Sequence, residues 1–255
     1  MISSSGSIGI FDSGLGGLSV LKALRELMPE QDYVYLADSG YAPYGERDAD
    51  YVLNRSKICL EALLDKGCSL IVIACNTATA LAGRALREAH PDLPIVGIEP
   101  AIKPAAALTQ NGHVGVLATQ GTLASPKFLA LMDATKAANP HIHIHTYAPR
   151  GLALAIESQD AVQIETLSSQ ACQAMRDAHC DTVVLGCTHY PLILNALQAN
   201  MGVACRLIDP ADAVAMQAKK SLPMPLLERT GTGKLELLST GNLADLQSFL
   251  ASLKD

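Results

Sequence analysis

Cys75 ends the apolar run in "LIVIACNTATA" (70–80), and Cys187 ends the run in "VVLGCTHYPLI" (183–193). Small polar residues follow each thiol: Asn76 and Thr77 after the first, Thr188 and His189 after the second. Asn76 and Thr77 are good helix caps, and Pro191 suits a first helical turn. A single cysteine at a strand end is most often a small core residue. Two in matching surroundings call for chemistry that uses both. Opposed thiols can invert a carbon: a thiolate removes the proton from one face and the other thiol returns one to the opposite face. A helix N-terminus beside each sulfur is expected to lower its pKa from ~8.5 and to offer free N–H groups to a carboxylate. Two rivals use the same residues. A Cys–His hydrolase would attack with Cys187 or Cys75 and take His189 as base, leaving one thiol idle. A zinc site could draw on Cys75, Cys187 and His189, but no C-x-x-C pair or His-rich cluster stands beside them, and no metal is expected.

The elements that must place these residues alternate. Strand-like runs occur at 8–11 (IGIF), 33–37 (YVYLA), 70–74 (LIVIA), 94–98 (PIVGI), 114–118 (VGVLA), 142–146 (IHIHT) and 182–186 (TVVLG). Helical patterns lie between them at 17–28, 51–67 and 80–90, the last stopped by Pro91. Alternation of this kind reads as parallel sheet with helices on its faces, and continuous Val/Ile runs suit strands covered on both sides. The chain also repeats itself. "IGIFDS" (8–13) matches "VGVLAT" (114–119), "VYLAD" (34–38) loosely matches "HTYAP" (145–149), "LIVIACNT" (70–77) matches "TVVLGCTH" (182–189), and "GIEPAIKPA" (97–105) matches "LIDPADAVA" (207–215). The offsets are Ile8 to Val114 (106), Cys75 to Cys187 (112) and Glu99 to Asp209 (110), too long for a solenoid period. The expectation is two similar doubly wound α/β domains related by pseudo-symmetry, 1–99 plus 211–255 and 100–210, with the site in the cleft between them. The tail 234–253 supplies one more strand and helix, returning to the first domain.

Composition narrows the function. The chain has 255 residues, a net charge of −6 and 49% hydrophobic residues, which is globular and speaks against nucleic acid as partner. Neither a signal sequence nor an apolar run of membrane-spanning length is visible, so no membrane is expected. Seven scattered cysteines do not make a disulfide framework, and the cytoplasm is the expected compartment.

Ligands of open α/β sheets sit beyond the carboxyl ends of the strands, which draws other residues in. Asp12 would be costly there without a partner. "FDSGLGG" (11–17) is a weak phosphate-loop signal: its spacing is not G-x-G-x-x-G and no P-loop lysine follows. Pro43 and Gly45 make "SGYAPYGERD" (39–48) a loop, and Thr119 and Thr122 stand at the equivalent edge of the second unit. His141, His143 and His145 alternate along one strand face and read as a solvated edge.

Five stretches together, "GIFDSGLGGLSV" (9–20), "ADSGYAPYG" (37–45), "IACNTATA" (73–80), "VGIEPAIKPA" (96–105) and "LGCTHYPLI" (185–193), resemble the glutamate racemases of the cofactor-independent aspartate/glutamate racemase superfamily. The likeness spans essentially the whole chain. It implies interconversion of L- and D-glutamate without a cofactor, supplying D-glutamate for peptidoglycan, often in a homodimer. Cys75 and Cys187 match the family's two catalytic acid/base residues, Asp12 the carboxylate near the first, and His189 the group near the second. Substrate contacts carry over to Asp12, Ser13, Tyr44, Gly45, Asn76, Thr77, Thr119, Thr122, Thr188 and His189. One stretch departs: "APRGLALAIES" (148–158) has Pro149-Arg150 where the family usually has Cys-Pro, and Glu157 is the candidate for the glutamate near the second cysteine. With no long N-terminal extension in view, activation by a nucleotide precursor is not expected.

Overall fold

The structure is a computed structural model that describes residues 6–222 and 232–252. Among the described residues nine strands pair, all in parallel. The first sheet has β1 (Ser7–Asp12), β2 (Tyr33–Ala37), β3 (Cys68–Ile73), β4 (Ile95–Gly97) and β9 (Leu235–Ser239), in the order β4-β3-β1-β2-β9. The second has β5 (His113–Ala118), β6 (His143–Tyr147), β7 (Thr182–Gly186) and β8 (Arg206–Ile208), in the order β6-β5-β7-β8. Leaving out β9, replacing β1, β2, β3 and β4 by β5, β6, β7 and β8 converts the first order, read in reverse, into the second. The repeat in the sequence is therefore a repeat of topology.

β1 and β3 are buried along nearly their whole length, as their unbroken Ile/Val/Leu runs require. Each sheet has one apolar cluster per face: Ile8, Ile10, Leu70 and Val72 look one way from the first sheet, Phe11, Val34, Ile71 and Ile73 the other. On the first sheet these faces are covered by α1 (Leu18–Leu27) and α2 (Ala49–Asp65). Between β3 and β4 come α3 (Asn76–Leu81) and α4 (Gly83–Ala89), so the single helix expected over 80–90 is two, broken at Ala82.

The helix after each short edge strand crosses to the opposite unit. α5 (Ile102–Leu108), which follows β4, packs on β5 and β7. Next come α6 (Gln120–Leu123), α7 (Pro126–Ala138), α8 (Leu152–Glu157), α9 (Ala161–Asp177) and α10 (Leu194–Met201). α11 (Ala211–Ser221), which follows β8, returns to α1, β3 and β4. The tail forms β9 and α12 (Leu243–Ser252); residue 253 of its expected helix lies outside the described residues.

A buried ion pair ties β9 to the loop after β2. Asp38 is fully buried and takes two hydrogen bonds from Arg55 on α2, at 2.9 Å from Nε and 2.8 Å from Nη2. It also accepts from the Tyr44 hydroxyl and, at 2.9 Å, from Thr240 just beyond β9. Four elements thus converge on one carboxylate. Arg55→Ala strands that charge in the interior and should cost about 3–5 kcal/mol in urea unfolding. Lys66→Ala removes the exposed Lys66–Glu236 pair and should cost about 0–1 kcal/mol.

Candidate active site

The carboxyl ends of β1, β3, β5 and β7 face one cavity of about 190 Å³. That is below the roughly 300–1,000 Å³ of drug-sized ligand pockets and suits a small solute. From the first unit it is lined by Ser13, Tyr44, Gly45, Cys75, Asn76 and Thr77; from the second by Thr119, Glu157, Cys187, Thr188 and His189. Asp12 and Thr122 do not line it. Asp12 lies fully buried behind the wall, and Thr122 holds Thr119 by a 2.9 Å hydroxyl contact.

Cys75 caps α3, its sulfur accepting from Ala78 N–H at 3.4 Å and donating to the Ser13 hydroxyl at 3.5 Å. The expected helix-terminus effect does not win here. Burial pushes the Cys75 thiol up to about 12, and the nearby Asp12 carboxylate adds to it; the Ala78 N–H and the Ser13 hydroxyl pull down only part of the way. Six residues of helix cannot outweigh desolvation of a sulfur that is 5% exposed. Cys187 differs too, because a 3-10 turn over Tyr190–Ile193, with Pro191 in its first positions, precedes α10. Its sulfur lies 3.6 Å from His189 Nδ1 instead.

Asp12 has the partners its burial demands. Gly14 N–H donates at 3.0 Å and the Thr188 hydroxyl, from the other unit, at 3.2 Å. Desolvation still holds Asp12 above its ordinary value, opposed mainly by His189. Glu157 Oε1 accepts from His189 Nε2 at 2.7 Å and from Leu15 N–H at 2.9 Å. Burial raises the Glu157 pKa, but those hydrogen bonds and the His189 charge bring it below the usual value. Burial likewise disfavours the imidazolium of His189, yet hydrogen bonds to Cys187 and Glu157 carry its pKa well above the ordinary range.

The glycines of "FDSGLGG" serve close approach rather than a phosphate. A Cβ on Gly14 would fall 1.6 Å from Glu157 Oε1, and one on Gly16 would fall 2.6 Å from both His189 Nδ1 and Thr188 Oγ1. The two units also meet at Thr77 and Thr119, whose hydroxyls are 2.9 Å apart, and at Gly121, whose N–H donates to the Gly45 carbonyl at 2.9 Å. Asn76 lines the cavity, and among the described residues neither amide atom of its side chain has a hydrogen-bond partner although both are buried. A buried amide is costly in that condition, so it is a place for ligand oxygens and donors.

Sequence reasoning missed Gln120 and Tyr190, which line the cavity, and the Asp38–Arg55 support beneath Tyr44. A signal for the last was present. Arg55 stands on the buried face of α2, between Val52 and Cys59 at helical spacing, where an arginine needs a buried carboxylate. Pro149 and Arg150 line the cavity at the point where the sequence departs from the family pattern.

The Glu157–His189 pair makes a pH prediction. Glu157, depressed in the fold, stabilises it above the unfolded carboxylate pKa of about 4.3 and ceases to as pH falls through the folded value. His189, raised in the fold, stabilises it below about 6.5 and ceases to as pH rises through its folded value. Glu157→Gln should therefore lose most stability relative to wild type near pH 4.5–6.5, read as urea midpoints across pH. The imidazole resonances of His189 should titrate at a lower pH in the variant; an unchanged titration would remove Glu157 as the cause.

The geometry agrees with comparisons to known proteins. Residues 16–218 match the family model described as Asp/Glu/Hydantoin racemase. The chain is 42% identical over 256 aligned residues to a glutamate racemase of Ectopseudomonas mendocina, covering 99% of this chain and 96% of that one. Among solved structures, a glutamate racemase isoform from Bacillus anthracis superposes with a TM-score of 0.85 at 27% identity, covering 98% and 94% of the two chains. The Escherichia coli glutamate racemase, solved with L-glutamate and the activator UDP-MurNAc-ala, superposes with a TM-score of 0.75 at 32% identity, covering 92% and 98%. Matching in sequence over most of its length and in fold over nearly all of it, this chain belongs to the Asp/Glu/Hydantoin racemase family.

Proposed function

We propose that this chain interconverts L- and D-glutamate by passing the α-proton between two cysteines. One observation carries the reading: Cys75 and Cys187, from equivalent strand ends of the two units, open onto the same small cavity. In one direction a thiolate takes the α-proton and becomes a thiol. The thiol on the other face gives its proton to the carbanion and becomes the thiolate, so the enantiomer leaves and the sulfurs have exchanged roles. The reverse direction uses the same steps backwards, and the scheme needs no cofactor.

The α-proton is a far weaker acid than a thiol, and placement must close the gap. Hydrogen-bond donors around the substrate carboxylate stabilise the charge that develops as the proton leaves. Asn76, with both amide atoms unpartnered, and Ser13, Thr77, Thr119 and Thr188 are the groups positioned to do so. Asp12 disfavours the thiolate of Cys75, and His189 stands against the sulfur of Cys187 to assist its proton transfer. Tyr44 and Gly45 close one side, Thr122 steadies Thr119, and Glu157 keeps His189 protonated and oriented. Residues 1–99 with 211–255, and 100–210, are the two domains of this reading. A homodimer in the cytoplasm that supplies D-glutamate to peptidoglycan is its biological setting.

A small-ligand binder with the same two-lobed fold is the rival from another class, but it has no use for both thiols. Incubating L-glutamate with reduced protein in D₂O distinguishes them. The racemase exchanges the α-proton and carries optical rotation to zero without added pyridoxal phosphate or metal; a binder does neither. Cys75→Ser and Cys187→Ser should each lower kcat by about 10²–10⁴-fold or more, the usual worth of a placed acid or base. Full activity in either variant would refute the two-base scheme.

A further inference from the structure

The cavity is lined by an uneven set of charges. Among the described residues that line it, Glu46 and Glu157 are the carboxylates and Arg150 is the sole lysine or arginine. Glu157 is committed, its Oε1 accepting from His189 and from Leu15 N–H. Arg150 and Glu46 are exposed, and neither side chain makes a hydrogen bond or an ion pair with another described residue. They stand on matching loops: Glu46 follows β2 of the first unit, and Arg150 follows β6, the counterpart of β2 in the second.

A tight turn holds Arg150 in place. Leu152 N–H donates to the Pro149 carbonyl at 3.2 Å, and Gly151 between them has φ 81° and ψ −15°. Those angles belong to the third residue of a type II turn, where glycine is favoured, and they make Arg150 its second residue. The turn leads directly into α8, which carries Glu157. Pro149-Arg150, the pair that departs from the family pattern, is thus a defined corner of the cavity.

We propose that Arg150 binds the side-chain carboxylate of the substrate and thereby selects dicarboxylic amino acids; the inference rests on the racemase reading above. In that reading Cα lies between Cys75 and Cys187. The α-carboxylate and α-amino group are bonded to Cα, so they stay among the buried residues Ser13, Asn76, Thr77 and Thr188. The second carboxylate, at the end of the side chain, lies farther out, where the exposed guanidinium stands. Neutral hydroxyls and backbone N–H groups serve an amide nearly as well as a carboxylate. A guanidinium, with five donors, no acceptor and a fixed charge, favours the carboxylate. Without it the lip of the cavity keeps only the charge of Glu46, which repels an anion.

The test compares Arg150→Gln and Arg150→Lys with wild type by α-proton exchange of L- and D-glutamate in D₂O, with urea midpoints to show that both variants fold. Arg150→Gln should raise KM for either enantiomer at least about 10-fold, the loss expected for one charge-assisted hydrogen bond. Its kcat should change by less than about 3-fold, because a contact far from the reacting carbon is equal in ground and transition states. Arg150→Lys keeps the charge and should recover most of the KM. The preference for glutamate over glutamine in kcat/KM should shrink at least about 10-fold in Arg150→Gln. An unchanged KM, a fall in kcat in its place, no recovery with lysine, or an unaltered preference over glutamine overturns the role of Arg150 while racemisation stands. A wild-type chain that exchanges no α-proton overturns the racemase reading itself, and this inference with it.

Discussion

A single oxygen, Glu157 Oε1, joins the halves of the site. It belongs to α8 of the second unit, accepts from Leu15 N–H of the first, and binds the His189 imidazole. A carboxylate buried to this degree is destabilising unless charge and hydrogen bonds compensate it, and here both do. The demand then propagates. For Leu15 N–H to reach the carboxylate, the β1–α1 loop must lie against it, and at Gly14 and Gly16 only hydrogen fits. His189, held from behind by Glu157, is left with Nδ1 facing the Cys187 sulfur. Loop path, glycine placement and ring orientation follow from one contact, and the raised imidazole pKa follows from it together with the Cys187 sulfur.

The opposite wall depends on the Asp38 cluster in the same way. Arg55 neutralises Asp38, Asp38 fixes the Tyr44 hydroxyl, and Gly45 next to it meets Gly121 of the second unit. Tyr44 is thereby held as a neutral phenol, its pKa raised by burial and by the neighbouring Cys59 and Asp38. A tyrosine anchored at its far end presents a rigid wall to the cavity. Rigidity matters there because catalytic groups lose effect steeply when misplaced by even 1 Å.

What the sequence made legible was whatever local pattern encodes. Continuous Val/Ile runs marked seven strands to within two residues at either end, and the repeat implied two units of the same build. β8, only three residues long, showed itself solely through its match to β4. The break at Ala82 was hidden because "ALAGRALREAH" keeps helical periodicity across it. The glycines of "FDSGLGG" were ambiguous, because glycine records that space is short without recording what fills it. Asp38, Arg55 and Thr240 meet across 17 and 202 residues of chain, and no local pattern announces such a meeting. The thiol pKa was misjudged for a related reason: a cap is visible in sequence, whereas depth of burial is a property of the assembled cleft.

The repeat also shows where the symmetry of the site breaks. Aligning 8–13 with 114–119 places Asp12 opposite Ala118, and aligning 70–77 with 182–189 places Thr77 opposite His189. The two thiols occupy equivalent positions, but the carboxylate beside one and the imidazole beside the other have no counterparts. For a reaction between enantiomers this asymmetry is permitted and bounded. The two substrates have equal free energy in water, so the equilibrium constant is one and no arrangement of charges can alter it. What Asp12 can set is how readily Cys75 gives up its proton. Burial and Asp12 keep Cys75 a thiol. In the proposed scheme a protonated Cys75 can only give a proton, which serves one enantiomer, and it becomes the acceptor for the other after a turnover or after losing that proton to solvent.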